Sequence, residues 1–361
     1  MTLRVALVGG PMYDHLYRVL NDADVEIVVH ADHPTLNRAV ADMFGRGERL
    51  DVISTHSKYA PSQSEWLLPL DDLVDPSELA PLAVDLCRPA QDLMCVPRLV
   101  DVRIMWWRRD RLSSPPDTWT ALVESAIAFG FPGRESGLFG TFFELVTGAG
   151  GRLFDDAGRV TISSPQADAA VETLSRLARH IPSDLPNWHY DQVDQALLDG
   201  QVDASGVWPG GWGAIRDSAI ADLLEPALYP AGSHRRVSYS GCHAWAIPST
   251  CDDPGRSAEL VARLVGREAS AIDAAGGNVC AHVGAFEAVK ASSAVDARRL
   301  QLTAETIRSS MITYPPHSRF PDVEDFGWRT INEVLRGRRS ANDAVRAIHE
   351  HASSLITIPE P

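Results

Sequence analysis

The sequence predicts an α/β chain of about two domains. The first 57 residues alternate short apolar runs with a helical period, the rhythm of strand, helix, strand. Its 361 residues are ample for two cores at roughly 100–200 residues per domain. Hydrophobic residues at 45% and charged residues at 22% are ordinary for a globular protein.

LRVALVGG (3–10) reads as a strand ending in two glycines, and VEIVVHA (25–31) as a second. PTLNRAVADMFGRG (34–47) has helical spacing with a glycine stop, and LDVISTHS (50–57) is a third, short strand. Strands of continuous apolar character with a helix between them argue a parallel, buried sheet. Functional loops in such sheets gather at the carboxyl ends of the strands. Those ends carry Gly9, Gly10, Met12 and Tyr13, then Thr55, His56, Ser57 and Tyr59.

CVPRLVDVRIMWWRRD (95–110) reads as one long extended segment. Its alternation puts Asp101 and Arg103 on one face, opposite Val100, Val102 and Ile104. Asp117 or Thr118 caps a helix in PPDTWTALVESAIAFG (115–130), and GLFGTFFELVTGAGG (137–151) is a helix closed by glycines. RLFDDAGRVTISS (152–164) resembles a short hairpin, and PQADAAVETLSRLARH (165–180) starts with proline in the first helical turn. DQVDQALLDGQVDASGVW (191–208) reads as helix, glycine stop and strand. SYSGCHAWAIPS (238–249) is a strand, and DPGRSAELVARLVG (253–266) a helix. Two amphipathic helices close the chain, near 321–337 and 342–353.

A net charge of −15 disfavours nucleic acid and anionic membranes as partners. No apolar run approaches the length of a membrane span. A charged leader with an apolar segment and cleavage site is not apparent at MTLRVALVGG, so the protein is expected in the cytoplasm if Met1 is the native start, and at the extracellular face or in the periplasm if the chain was trimmed. Five cysteines cannot all pair and no CxxC occurs; Cys87 and Cys95 could bridge in an oxidising compartment. GxSxG, P-loop, GxGxxG and HExxH are absent, so no catalytic residue and no cofactor is expected. His30 and His33 form an HxxH without a third ligand suggested nearby, and no metal is expected.

Several segments together resemble a known family. They are LDVISTHS…WLLPLDDL (50–73), PPDTWTAL (115–122), GAGGRLFDDAGRVTISSPQADAAVETL (148–174), ALLDGQVDASGVWPGGW (196–212) and LRGRRSANDAVRAI (335–348). The chain resembles the bacterial extracellular solute-binding proteins of family 1, the sugar-type receptors of ABC importers. The resemblance implies a two-lobed, periplasmic-binding-protein-like type II fold, each lobe a mixed sheet flanked by helices, with a ligand cleft between lobes. It implies lobes of 1–106 with 247–310 and of 107–246 with 311–361, with crossings near Met105–Arg108, Ser240–Ile247 and Ser310–Tyr314. It further implies capture of a carbohydrate or similar polyhydroxylated solute by hinge closure without chemistry, by a monomer that serves ABC importer membrane subunits. The alternative is a cytoplasmic enzyme or ligand sensor on the same scaffold.

Within that frame GVWPGGW (206–212) stands out. Trp208 or Trp212 offers a flat apolar platform for a sugar face, and Gly210 and Gly211 leave backbone N–H groups open to a ligand. Asp101 and Arg103 suit bidentate hydrogen bonding to hydroxyls. Gly241 and His243 lie in the second crossing, while Arg319 and Glu324 lie near the third; with Tyr13, His56, Ser57 and Tyr59 they complete the expected ligand-binding set. Hinge closure predicts a smaller radius of gyration in small-angle scattering when a saturating ligand is present. An unchanged radius with proven binding would argue against closure.

Overall fold

The computed structural model describes residues 2–10, 13–20 and 24–356; Met12, at the first strand end, lies outside them. Its described strands are β1 (Leu3–Val8), β2 (Val25–Ala31), β3 (Val52–His56), β4 (Val96–Val102), β5 (Ile104–Arg108), β6 (Phe129–Gly130), β7 (Ala204–Val207), β8 (Leu224–Ala227), β9 (Ser238–Ala246) and β10 (Met311–Ile312). The chain folds into two compact units. One comprises Met1–Asp101, Gly241–Lys290 and Pro316–Ser318; the other comprises Val102–Ser240, Ala291–Pro315 and Arg319–Pro361. The chain thus changes unit after Asp101, after Ser240 and after Lys290, and Pro316–Ser318 returns briefly to the first unit. The helix Ala294–Ser309 belongs to the second unit, whereas the sequence reading put 247–310 in the first lobe.

In the first unit β1 pairs in parallel with β2 and with β3, and β9 joins β3 in antiparallel register, His56 opposite His243. The sheet is therefore mixed. β2 is mostly apolar yet none of its residues is buried, Ile27 included, and among the described strands it pairs only with β1, at the sheet edge. β1 and β3, lying inside the sheet, bury most or all of their residues. The helix His33–Gly45 starts directly after β2, its cap Asp32 accepting a hydrogen bond from the Thr35 N–H at 2.8 Å.

In the second unit the order is β6-β7-β5-β8, with β5 antiparallel to both neighbours. Thr118 caps the helix Trp119–Glu124, and Trp119 is core, packed edge-on against Phe129 and Tyr229 at 5.3 Å each. In the helix Glu135–Gly148 every residue from Gly137 onward is buried, as its apolar sequence requires. The expected long strand 95–110 is two strands. It breaks at Arg103, whose backbone N–H donates to Ser238 Oγ at 2.8 Å instead of continuing a ladder. The expected hairpin at 152–164 reduces to one bridge, Phe154 with Val160, because the Asp155 carboxylate accepts the N–H groups of Ala157 and Arg159 and closes a turn with Gly158 at φ 78°.

All five cysteines are free thiols, and Cys87, Cys95, Cys242 and Cys280 are buried. Titration of unfolded, unreduced protein should count five thiols; a count of three would show one disulfide.

Candidate functional site

Each unit gathers one cluster of polar and aromatic side chains. In the first, the order of the sheet does the gathering. Tyr13 follows β1, His33 follows β2, His56 ends β3 and Asp101 sits next to the end of β4. β9 runs antiparallel to β3, so His243, the first of its residues to pair with β3, arrives at the same edge. His243 Nε2 lies 2.8 Å from Asp101 Oδ2 and 3.0 Å from the Tyr13 hydroxyl; its Nδ1 lies 2.9 Å from His33 Nε2. The His33 and His243 rings stack at 4.9 Å, and the His56 ring stands edge-on to His243 at 5.1 Å. Tyr59 lies about one ring-width beyond, 6.1 Å from His33 and 6.2 Å from His56, with Lys58 Nζ 4.8 Å from its ring. Burial, then the charges of His243 and Lys58, hold both His33 and His56 well below the ordinary histidine value, so both are neutral near pH 7.

Behind this cluster Arg98 donates twice to Asp273, at 2.9 and 2.8 Å, and once to the Tyr13 carbonyl at 3.3 Å. His15 contacts the same carboxylate at 2.9 Å. Burial alone would raise Asp273, but the hydrogen bonds from Arg98 and His15 outweigh it and its pKa is lowered. The pair anchors the Tyr13 loop.

In the second unit the cluster centres on Arg103, which is buried and donates to the equally buried Glu144 and to Thr141. The guanidinium lies 5.3 Å from the Trp208 ring and 5.1 Å from that of Tyr229. Glu144 also accepts the Tyr239 backbone N–H at 2.7 Å. Burial first, then Arg103 in opposition, sets the Glu144 carboxyl above its ordinary value; burial lowers Arg103 but the charge of Glu144 carries it upward. Trp208 is half-buried at the end of β7, flanked edge-on by Tyr190 at 5.8 Å and Tyr239 at 6.1 Å, and Tyr239 leans on Tyr314 at 4.4 Å.

Residues 25–268, more than half of the chain, match the model of the bacterial extracellular solute-binding protein family. The chain belongs to this family. A probable ABC transporter-binding protein of Deinococcus radiodurans is 23% identical over 201 residues, covering 49% of this chain and 48% of that protein. The chain thus spans about half the length of this curated relative. Maltose-bound MalE3 of T. maritima superposes with a TM-score of 0.87 at 21% identity, over 98% of this chain and 100% of that one. An ABC transporter solute binding protein from Agrobacterium radiobacter K84, in complex with ribitol, gives 0.85 at 16% identity over 99% of both chains. These likenesses show the fold, the two-lobed α/β type that the sequence motifs imply.

The family member's expected site residues divide between the two clusters. Tyr13, His56, Tyr59, Asp101 and His243 come together in the first. Ser57 serves the backbone there: its hydroxyl accepts the Cys242 N–H at 3.0 Å and its own N–H donates to the Cys242 carbonyl at 2.8 Å. Gly241 is bare for the sake of His56, because a Cβ would lie 2.1 Å from His56 Cε1. Asp101 and Arg103 do not act together, since they fall in different units and have separate partners. The two terminal nitrogens of Arg103 are committed to Glu144 and the Thr141 hydroxyl, while its buried Nε has no hydrogen-bond partner among the described residues.

Trp212 is corrected to a packing role. It is 7% exposed, its ring stacked on Trp106 at 5.7 Å, with the Arg299 guanidinium 5.0 Å away. Gly211 is likewise corrected: its N–H donates to the Trp208 carbonyl at 2.9 Å, and a Cβ would come 2.5 Å from Val207. Gly210 stays half-buried in the same turn. Arg319 is exposed and pairs with Asp322 at 2.6 Å, and Glu324 is buried; burial first, then the charges of Tyr239 and Glu324, raise the Tyr314 phenol.

Sequence reasoning missed His33 as a cluster member, and Glu144, Tyr190, Tyr239 and Asp194 altogether. One signal was present: a lone carboxylate inside the apolar run GLFGTFFELVTG needs a buried cation. Asp194 lies beside Gly211. Burial, then the charge of Asp191, raises its carboxyl to about 7 against the pull of Arg103. A carboxyl raised in the folded state holds a proton that the unfolded chain releases from its ordinary value of 3.8 upward. Its stabilising share is therefore full below about pH 4 and lost as pH climbs through about 7. Urea unfolding should show stability falling over that window. Asp194→Asn should flatten the fall and gain on the order of 1–2 kcal/mol near pH 8, less than the full shift because the residue keeps some contact with solvent. An unchanged pH slope in the variant would assign the titration elsewhere.

Proposed function

We propose that this family member captures a carbohydrate or polyol and hands it to an ABC importer, and that Trp208 is its stacking platform. The observation that carries this reading is the setting of Trp208. It ends a strand, keeps part of its indole in solvent, and is held rigid by Arg103 behind it and by two tyrosine edges beside it. A sugar has one apolar C–H face and a rim of hydroxyls. A fixed indole with phenolic groups around it matches both. The maltose and ribitol held by the two solved relatives are of this class. The Arg103–Glu144 pair contributes by holding Trp208 and the Tyr239 backbone in one geometry.

A thermal-shift screen against sugars, polyols and amino acids tests the ligand class, since binding to the native state raises its apparent stability. A shift with a sugar or polyol is expected; a shift with amino acids alone, or with nothing, would overturn the reading. For the identified ligand, Trp208→Ala should weaken binding at least about tenfold, from lost stacking of roughly 0.5–1.5 kcal/mol plus lost apolar burial, while unliganded melting barely moves. Trp212→Ala should instead cost about 3–5 kcal/mol of folding stability. Calorimetric titration and melting of both variants separate a platform from a core.

A further inference from the structure

The first unit holds a cluster that the Trp208 platform does not use. One nitrogen from each of His56 and His243 and one carboxylate oxygen of Asp101 lie within 4.8 Å of one another. The three residues are buried, at 7%, 8% and 6% exposure. We propose that His56, Asp101 and His243 bind a divalent transition-metal ion of the zinc class, with His33 as a positioning residue.

The donor chemistry selects the ion. Two imidazoles and one carboxylate are the mixed nitrogen and oxygen set that zinc takes, with three protein ligands and a fourth position left for water or a ligand. Calcium and magnesium require six or more oxygens, and one carboxylate cannot supply them. The spacing fits with small movements. Tetrahedral zinc with bonds of about 2.0–2.1 Å separates its donors by roughly 3.3 Å. The 2.8 Å contact between His243 and Asp101 would open slightly and the widest separation would close by about 1.5 Å, a change within reach of side-chain torsions.

The His33 contact suits a ligand shell, while the Tyr13 hydroxyl, 3.0 Å from His243 Nε2, must give way to the ion. The proton that joins His243 Nε2 to Asp101 stands between two of the ligand atoms. His33 Nε2 holds the other nitrogen of His243 at 2.9 Å, the outer contact that fixes the ring of a metal-bound histidine. On metal binding the two rings exchange tautomers. His243 then donates from Nδ1 to His33, and His33 carries its proton on Nδ1, a buried nitrogen without a hydrogen-bond partner among the described residues. The proton count of the pair is unchanged. The long 3.2 Å contact from the Lys58 N–H to His56 Nδ1 gives way to the N–H that a ligated imidazole carries there. The backbone is shaped for the same purpose: His56 and His243 are register partners on β3 and β9, and only a glycine at 241 leaves room for the His56 ring.

The full chain, stripped with a chelator, should be titrated with Zn²⁺ alone against a chromogenic competitor. One ion per chain is expected. His56→Ala, His243→Ala and Asp101→Asn should each weaken binding by more than about tenfold, and His33→Ala by roughly 10- to 100-fold. His30→Ala, which pairs instead with Asp14, should leave it unchanged. No uptake, uptake of Ca²⁺ in place of Zn²⁺, or equal affinity in His56→Ala and His243→Ala would overturn the proposal. Should those variants fail to fold, the Co²⁺ spectrum of the unaltered chain decides: intense tetrahedral bands support the site and weak octahedral bands overturn it. The titration contains no sugar, so its failure and that of the Trp208 reading are distinguishable.

Discussion

A guanidinium stays charged wherever it is buried, so burying one without an anion beside it is costly, and this requirement organises both halves of the molecule. Arg98 and Arg103 stand five residues apart on one extended stretch, and both are buried. Arg98 takes Asp273 and Arg103 takes Glu144. Each pair also bonds to neighbours: Asp273 to His15, Arg98 to the Tyr13 carbonyl, Glu144 to the Tyr239 N–H, Arg103 to Thr141. Removing one partner of such a pair costs about 3–5 kcal/mol, because a charge is left uncompensated. The aromatic and imidazole groups around the pairs are therefore held in place by electrostatics as much as by packing.

The second constraint is β9. All nine of its residues are buried, so it has no solvent face and no alternation for the eye to follow. Its first residues pair with β10 in the second unit and its later ones with β3 in the first. Running against β3, it places His243 opposite His56 at the edge where the parallel strands end. A parallel neighbour there would have brought a late residue of the strand to that edge instead. The histidine cluster is thus a product of strand direction, which a local pattern does not encode.

This explains what could be read from the sequence and what could not. The strands β1 and β3, the capped helix at Trp119 and the two closing helices were legible because apolar period and capping residues are local signals. The edge position of β2 was not, since its composition equals that of an interior strand. The break at Arg103 was hidden because the Ser238 hydroxyl that receives its N–H is far along the chain. His33 looked like half of an HxxH with His30. In the structure the two rings part, His30 toward Asp14 and His33 toward His243, because His30 is still in the strand and His33 already begins the helix.

The two indoles of GVWPGGW show how one short stretch serves two ends. Its bare backbone suggested an opening for a ligand, yet Gly211 is bare because Val207 and Asp194 crowd it, and its N–H closes a tight turn onto Trp208. That turn, Pro209–Gly211, leads directly into the helix that Trp212 begins. Trp212 is carried inward onto Trp106, and Trp208 is left at the strand end with part of its ring in solvent. In an unbroken helix residues four apart share a face, and both rings would have gone the same way. The glycines and proline split that pair, so that the buried ring anchors the segment that displays the other.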